Sequence, residues 1–342
     1  MATKLLWTSL ALVPVALVAG YGLHANATTR FVLSAAALIP LAWLIGEATE
    51  QAAEHTGPGV GGFLNASFGN APELIIALFA VADGLPNVVR GSLTGSVVSN
   101  ILLVLGAAMI FGGDGDLDAR SLRLQLFAVI GAVLLFLIPS VAAWHGSYDR
   151  HGLYLVSIPV AVVLLVAYVL LTMRNLRIHR KASRHAAVEG AWPLDRALLV
   201  LAVATVATAF VSEQLIHSLH EFGRAVGLDE FFIAVVIVAI VGNAAEHGGA
   251  IVIAYRGNTT LATEIAVTSA AQVALFVTPV VALLSSLVGR GLPLSFRVVE
   301  IATMGLGAVL ATLVVWDGRS RRRDGILLVG AYAVCVAWYL AS

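Results

Sequence analysis

Of 342 residues, 59% are hydrophobic and only 12% charged, with a mean hydropathy of +0.93. Soluble domains carry about a quarter charged residues, so the composition excludes a soluble enzyme or binding module and indicates a polytopic membrane protein. Formal net charge is zero, which gives no reason to expect nucleic acid or an acidic partner, and the single Cys335 excludes a disulfide framework or a cysteine-based metal site.

In chain order, Lys4 opens onto an apolar stretch over 5–23. That run is longer than the roughly 7–15 residues of a signal-peptide core and long enough to span, so it is expected to be a retained first helix. About eleven spans are expected, at 4–23, 31–55, 60–82, 86–111, 121–143, 149–173, 196–220, 230–255, 260–288, 296–316 and 324–341. Their runs are continuous rather than alternating, which excludes a β-barrel. With the N-terminus in the cytoplasm, Lys4, Arg120, Arg123, Arg174, Arg177, Arg180, Lys181, Arg184, Arg196, Arg256, Arg319, Arg321, Arg322 and Arg323 fall inside. Arg30, Arg90, Arg150, Arg224, Arg290 and Arg297 fall outside. This bias predicts N-in, C-out. The basic linker 174–195 reads as a topology determinant that also touches anionic membrane lipid. It separates a leading helix (1–30) plus a first five-helix unit (31–173) from a second five-helix unit (196–342).

Two motifs dominate. Gly69-Asn70-Ala71-Pro72-Glu73 recurs as Gly242-Asn243-Ala244-Ala245-Glu246 at an offset of 173, which also carries Ser96 to Ser269 and sets Ser99 opposite Gln272. In the expected topology the two copies enter from opposite sides, so the repeats are inverted, a pattern of secondary transporters. An ionisable residue within a span costs roughly 3 kcal/mol, so two such residues at matching depths point to a cation site. Pro72 and Gly69 are expected to break the first span, freeing carbonyls toward a cavity. The second copy, lacking the proline, is expected to bend at Gly242, Gly248 and Gly249. Calcium takes six to eight oxygens. Glu73, Glu246 and the amides of Asn70 and Asn243 supply several, and Ser96, Ser99, Ser269 and Gln272 are expected to line the same cavity. Two nearby buried carboxylates cannot both stay charged without a cation, so protons and a divalent cation compete for them. With alternating access, that competition makes an antiporter.

The strings GFLNASFGNAPELIIALFA (62–80), GSVVSN (95–100), GNAAEH (242–247) and SAAQVALFV (269–277), preceded by GEATEQAAEH (46–55), resemble the two repeats of the calcium/cation antiporter superfamily, and within it the cation/proton exchangers. The resemblance covers about residues 30–340. It implies an all-α fold of eleven spans and a Ca²⁺ site shared by Glu73 and Glu246 with support from Asn70 and Asn243. It also implies export of cytosolic Ca²⁺ in exchange for H⁺. Pro72 departs from the Val or Thr usual there and is more like the sodium/calcium branch, which has Thr-Ser in place of Asn70-Ala71. A sodium-coupled exchanger or a Mn²⁺/H⁺ exchanger is the alternative within the same architecture, and a compact bacterial inner-membrane protein is the expected setting.

Glu47, Glu50 and Glu54 share one helix face and read as a proton or cation relay, with Glu213 as the counterpart in the second half. His247 either lines that path or packs. Glu264 and Glu300 are expected to reach the interface. The Asp114–Asp118 loop lacks the closing Glu of a calcium loop, with Gln125 in its place, and reads as solvated. No HExxH occurs, which argues against a metalloenzyme.

Overall fold

The computed structural model describes residues 2–146, 149–179 and 192–342; the basic residues Arg180, Lys181 and Arg184 of the linker lie outside them. The helices are α1 (Leu6–Gly22), α2 (Ala27–Phe68), α3 (Ala71–Ala82), α4 (Pro86–Gly112), α5 (Ala119–Trp144) and α6 (Arg150–His179). They continue as α7 (Leu194–Val226), α8 (Glu230–Gly242), α9 (Ala244–Tyr255), α10 (Thr259–Val288), α11 (Val298–Val314) and α12 (Arg322–Ala341). Among the described residues seven helices are long and apolar enough to cross a membrane, and α8 with α9 makes an eighth, bent by 60°. The remaining apolar helices, α1, α3 and α11, are shorter.

Element identity follows the apolar runs. Arg30 lies 4.0 Å from Glu221, Phe31 stacks on Phe222, and Gln51 accepts the Trp192 N–H. So the first part of α2 runs antiparallel to α7. Ala71 packs in the Leu201/Ala204 cluster while Asp83 meets His217 at 3.2 Å, so α3 runs parallel to α7. The chain therefore reverses before Ala71. Ile45, Ala48, Phe68 and Ala71 pack in one cluster, so the reversal falls between Ala48 and Phe68, where the turn between spans 31–55 and 60–82 is expected; the interruption at Gly69–Asn70 is a separate break that follows it.

The centre is built on α4, whose Gly91 and Gly95 let it lie against the backbone of α8. A side chain at Gly95 would run into the Val235 carbonyl and sit 2.7 Å from the Ala239 methyl, and one at Gly91 would meet Phe231 and Ala234 at 3.1 Å. Small residues at four-residue spacing are the usual means of such close approach between membrane helices.

At the far end of α10 the chain continues as a non-helical, buried strap over 292–296. Such backbone must be satisfied locally. The N–H groups of Leu292, Leu294 and Phe296 donate to the hydroxyls of Ser285, Ser157 and Ser140 at 2.7, 2.9 and 2.9 Å. Arg90 and Trp144 donate to the carbonyls of Ser295 and Phe296 at 2.7 and 2.9 Å. Glu300 follows this strap. It is fully buried, accepts the Arg297 N–H and faces the Arg90 guanidinium, so it does not reach the interface as its position near a span end suggested. A buried carboxylate is tolerable where a cation and an N–H compensate it.

Among the described residues the only strand pairing is a two-residue antiparallel one of β1 (Gly115–Asp116) with β2 (Arg319–Ser320). It employs the acidic loop structurally: Asp118 caps α5 through the N–H groups of Arg120 and Ser121, and Asp114 accepts the Arg322 N–H.

Candidate functional site

Each motif interrupts a helix at its asparagine. Asn70 has φ −96°, ψ 16° and Asn243 has φ −91°, ψ 11°, the sparsely allowed bridge region in which many site residues are found. The break is therefore an Asn feature, and two expectations need correction. Pro72 lies in the first turn of α3, where no intrahelical donor is lost, so it starts a helix rather than kinks one. Gly248 and Gly249 lie inside the continuous α9, so the second bend is at Asn243. The result is the same twice over: one half-helix ends, and the next begins with a glutamate in its first turn, Glu73 in α3 and Glu246 in α9. Carbonyl ends favour a cation, and helix starts favour an anionic side chain.

The two breaks meet. The Glu73 side chain lies across Gly242, where an added Cβ would be 3.5 Å from Glu73 Cγ, and the charges of Glu73 and Glu246 act on one another. Around them the polar groups are paired, two of the bonds crossing between the halves. Asn70 Nδ2 donates to Gln272 Oε1 at 3.0 Å, Asn243 Nδ2 donates to Ser96 Oγ at 2.8 Å, and the Ser269 hydroxyl donates to Glu246. Asn70, Asn243, Ser96, Ser269 and Glu73 are buried, whereas Glu246 and Gln272 are partly accessible. Buried Glu73 Oε2 takes no hydrogen bond.

Ser99, also expected to line the cavity, is buried but turns back to the Ser96 carbonyl. Its neighbour does the work assigned to it. Asn100 Nδ2 donates to Asn243 Oδ1 at 3.1 Å and to Ser269 Oγ at 2.9 Å, while its Oδ1 has no partner. The offset rule overlooked Asn100 because it maps onto apolar Val273; an amide inside an apolar run was the signal available. Just past the site both neighbouring helices widen into π-turns, Ser99–Val104 in α4 and Val273–Val277 in α10, a distortion frequent at functional positions.

The other candidates do not join this group. Glu50 and Glu54 are exposed on α2, and Glu47 accepts from Gln51 at 3.1 Å on the same helix. Glu213 accepts the Tyr21 hydroxyl at 2.6 Å, facing the leading helix. His247 is buried beside Glu246, with Nε2 unpartnered. Among the described residues no three His, Cys, Asp or Glu side chains gather. The arrangement is two carboxylates among neutral oxygen donors, a set suited to a hard cation.

The sequence pattern of the sodium/calcium exchanger protein family matches residues 26–176 and 196–341. The chain belongs to that family. Its relatives include the Ca²⁺/H⁺ antiporter ChaA of Bacillus subtilis (strain 168), 38% identical over 93% of each chain, and the vacuolar cation/proton exchanger 1a of Oryza sativa subsp. japonica, 34% identical over 91% of this chain and 74% of the relative. Among solved structures, native YfkE matches with a TM-score of 0.85 at 32% identity, covering 98% of this chain and all of YfkE. The H⁺/Ca²⁺ exchanger CAX matches at 0.78 and 16% identity, a likeness of fold. Membership establishes the protein as an integral membrane protein of a transporter family rather than an enzyme.

Proposed function

We propose that this protein is a secondary antiporter that exports cytosolic Ca²⁺ in exchange for H⁺, with both ions competing for Glu73 and Glu246. The observation that carries the reading is the meeting of two glutamates, each opening a half-helix, amid amide and hydroxyl oxygens. Asn70, Asn243, Ser96, Ser269, Gln272 and Asn100 would complete or orient the shell. The relatives named as Ca²⁺/H⁺ antiporters support the choice of ions. The paired breaks and paired π-turns support an arrangement of one leading helix and two inverted five-helix units, eleven spans in all. We place it in a bacterial inner membrane, N-terminus inside and C-terminus outside, on the basic-residue bias.

The mechanism follows from charge. Burial and mutual repulsion keep both carboxylates from being anionic together, so the cation-free site carries protons. A divalent ion entering the site displaces them, and its departure on the other side lets them return. The membrane potential adds roughly 2.3 kcal/mol per net charge per 100 mV.

The test is Ca²⁺ uptake into everted vesicles or proteoliposomes under an acid-inside gradient, without sodium. Uptake that collapses with a protonophore and vanishes in Glu73→Gln and Glu246→Gln is expected. Uptake that requires a sodium gradient would favour the sodium-coupled alternative, for which Pro72 is the motivating residue, and replacement of Ca²⁺ by Mn²⁺ as the preferred ion would move the substrate. Full activity in both variants would reject the site.

A further inference from the structure

A cleft of about 420 Å³ lies between α5 and α6, far from the polar strap. Its walls are Ala128, Gly131 and Leu135 on α5 and Leu164 and Leu171 on α6, and its floor is Leu275 of α10. Gly131 keeps it open, since a Cβ there would meet nothing within 4 Å. Every lining residue is apolar but one. Arg174, exposed, closes one end of the cleft.

We infer that this cleft seats one acyl chain of an anionic phospholipid, with the lipid phosphate on Arg174. Three observations select that occupant. First, the α6 wall runs from Leu164 to Arg174, about 15 Å at 1.5 Å per residue, which is one leaflet of a hydrocarbon core about 30 Å thick. Second, polarity is confined to the end that lies at the membrane surface, and its sign is positive, complementary to phosphate. Third, the trough is apolar and lined by small side chains on α5, which suits a chain and not a polar ligand. The inference needs only that the protein is membrane-embedded and is independent of which ions it carries.

The seat has a consequence for the site. Leu275 belongs to the π-turn that follows Gln272, and next to it Phe276 packs on Tyr168 of α6 at 5.1 Å, whose hydroxyl faces Gln272. A chain in the cleft therefore bears on the helix that carries Ser269 and Gln272.

The experiment is native mass spectrometry of the purified full-length protein after incubation with dioleoyl phosphatidylglycerol or dioleoyl phosphatidylcholine. The wild type should retain the anionic lipid about fivefold better, the effect of one arginine at a membrane surface. Arg174→Gln should equalise the two lipids, and Arg174→Lys should restore most of the preference. Gly131→Leu, whose Cβ has room and whose remaining atoms would fill the cleft, should lower retention of both lipids while leaving gel-filtration behaviour unchanged. Glycerol phosphate, which is headgroup without chain, should not displace the lipid. Equal retention of both lipids by the wild type, or retention unaffected by Gly131→Leu, would overturn the inference. So would displacement by glycerol phosphate, or spontaneous disulfide pairing of two Gly131→Cys copies, which would make the cleft a contact between protomers. These readouts do not depend on transport.

Discussion

The two interruptions differ in how their glutamates are held, although their backbones are nearly superimposable in φ and ψ. At the first, Asn70 is tied to Gln272 and Glu73 is buried with an oxygen that takes no hydrogen bond. At the second, Asn243 is held by Asn100, Ser96 and the Ala239 carbonyl, and Glu246 takes the Ser269 hydroxyl and is partly accessible. One glutamate is buried with one oxygen left without a partner, the other is partly accessible and takes a hydroxyl. A duplicated motif thus gives two unlike half-sites, and the unlikeness comes from the neighbouring helices, not from the motif.

Removing charge tests that contrast most severely. Glu73→Gln and Glu246→Gln should each lower Ca²⁺ uptake by about a hundredfold or more, because a cation left with one carboxylate loses a buried charge interaction. Substantial uptake in only one of them would show that a single half-site suffices. Asn100→Ala comes next: it releases both Asn243 and Ser269, each bond about 1 kcal/mol, and should raise the apparent KM for Ca²⁺ by roughly tenfold or more. An unchanged KM would remove Asn100 from the site. Ser269→Ala removes a bond to a carboxylate, about 1.5–3 kcal/mol, whereas Ser96→Ala removes a neutral one of about 1 kcal/mol. The KM increase should therefore be larger for Ser269→Ala, and the reverse order would contradict the contrast between the two half-sites. The smallest effect belongs to Pro72→Ala, which makes the first copy like the second at that position. Since Pro72 only starts α3, uptake should stay within about threefold of wild type, with no requirement for sodium.

The span positions were legible in the sequence because a continuous apolar run about 20 residues long has few other readings. The site was legible in large part because one offset linked polar residues that had no other reason to recur. It failed where function is not duplicated: Asn100 has apolar Val273 as its counterpart, and Ser99 had the right spacing but turned to its own helix. Glu300 was misjudged since nearness to a span end says nothing about a strap folding over it. The attribution of the break to Pro72 failed for a local reason. A proline two residues after an interruption belongs to the helix that begins there.

The strap over 292–296 leaves non-helical backbone, and with it the hydrogen-bonding demand of a strand edge, buried inside a lipid-facing protein. An unpaired strand edge is a template on which another chain can add itself, and in soluble sheets it is guarded by charge or proline. Charge is a poor guard in hydrocarbon. Here Ser285, Ser157 and Ser140 stand in for a neighbouring strand, quenching alternate N–H groups from three separate helices. The edge is thereby closed to recruitment, and the same three hydroxyls fasten α5, α6 and α10 to one another at that end of the bundle.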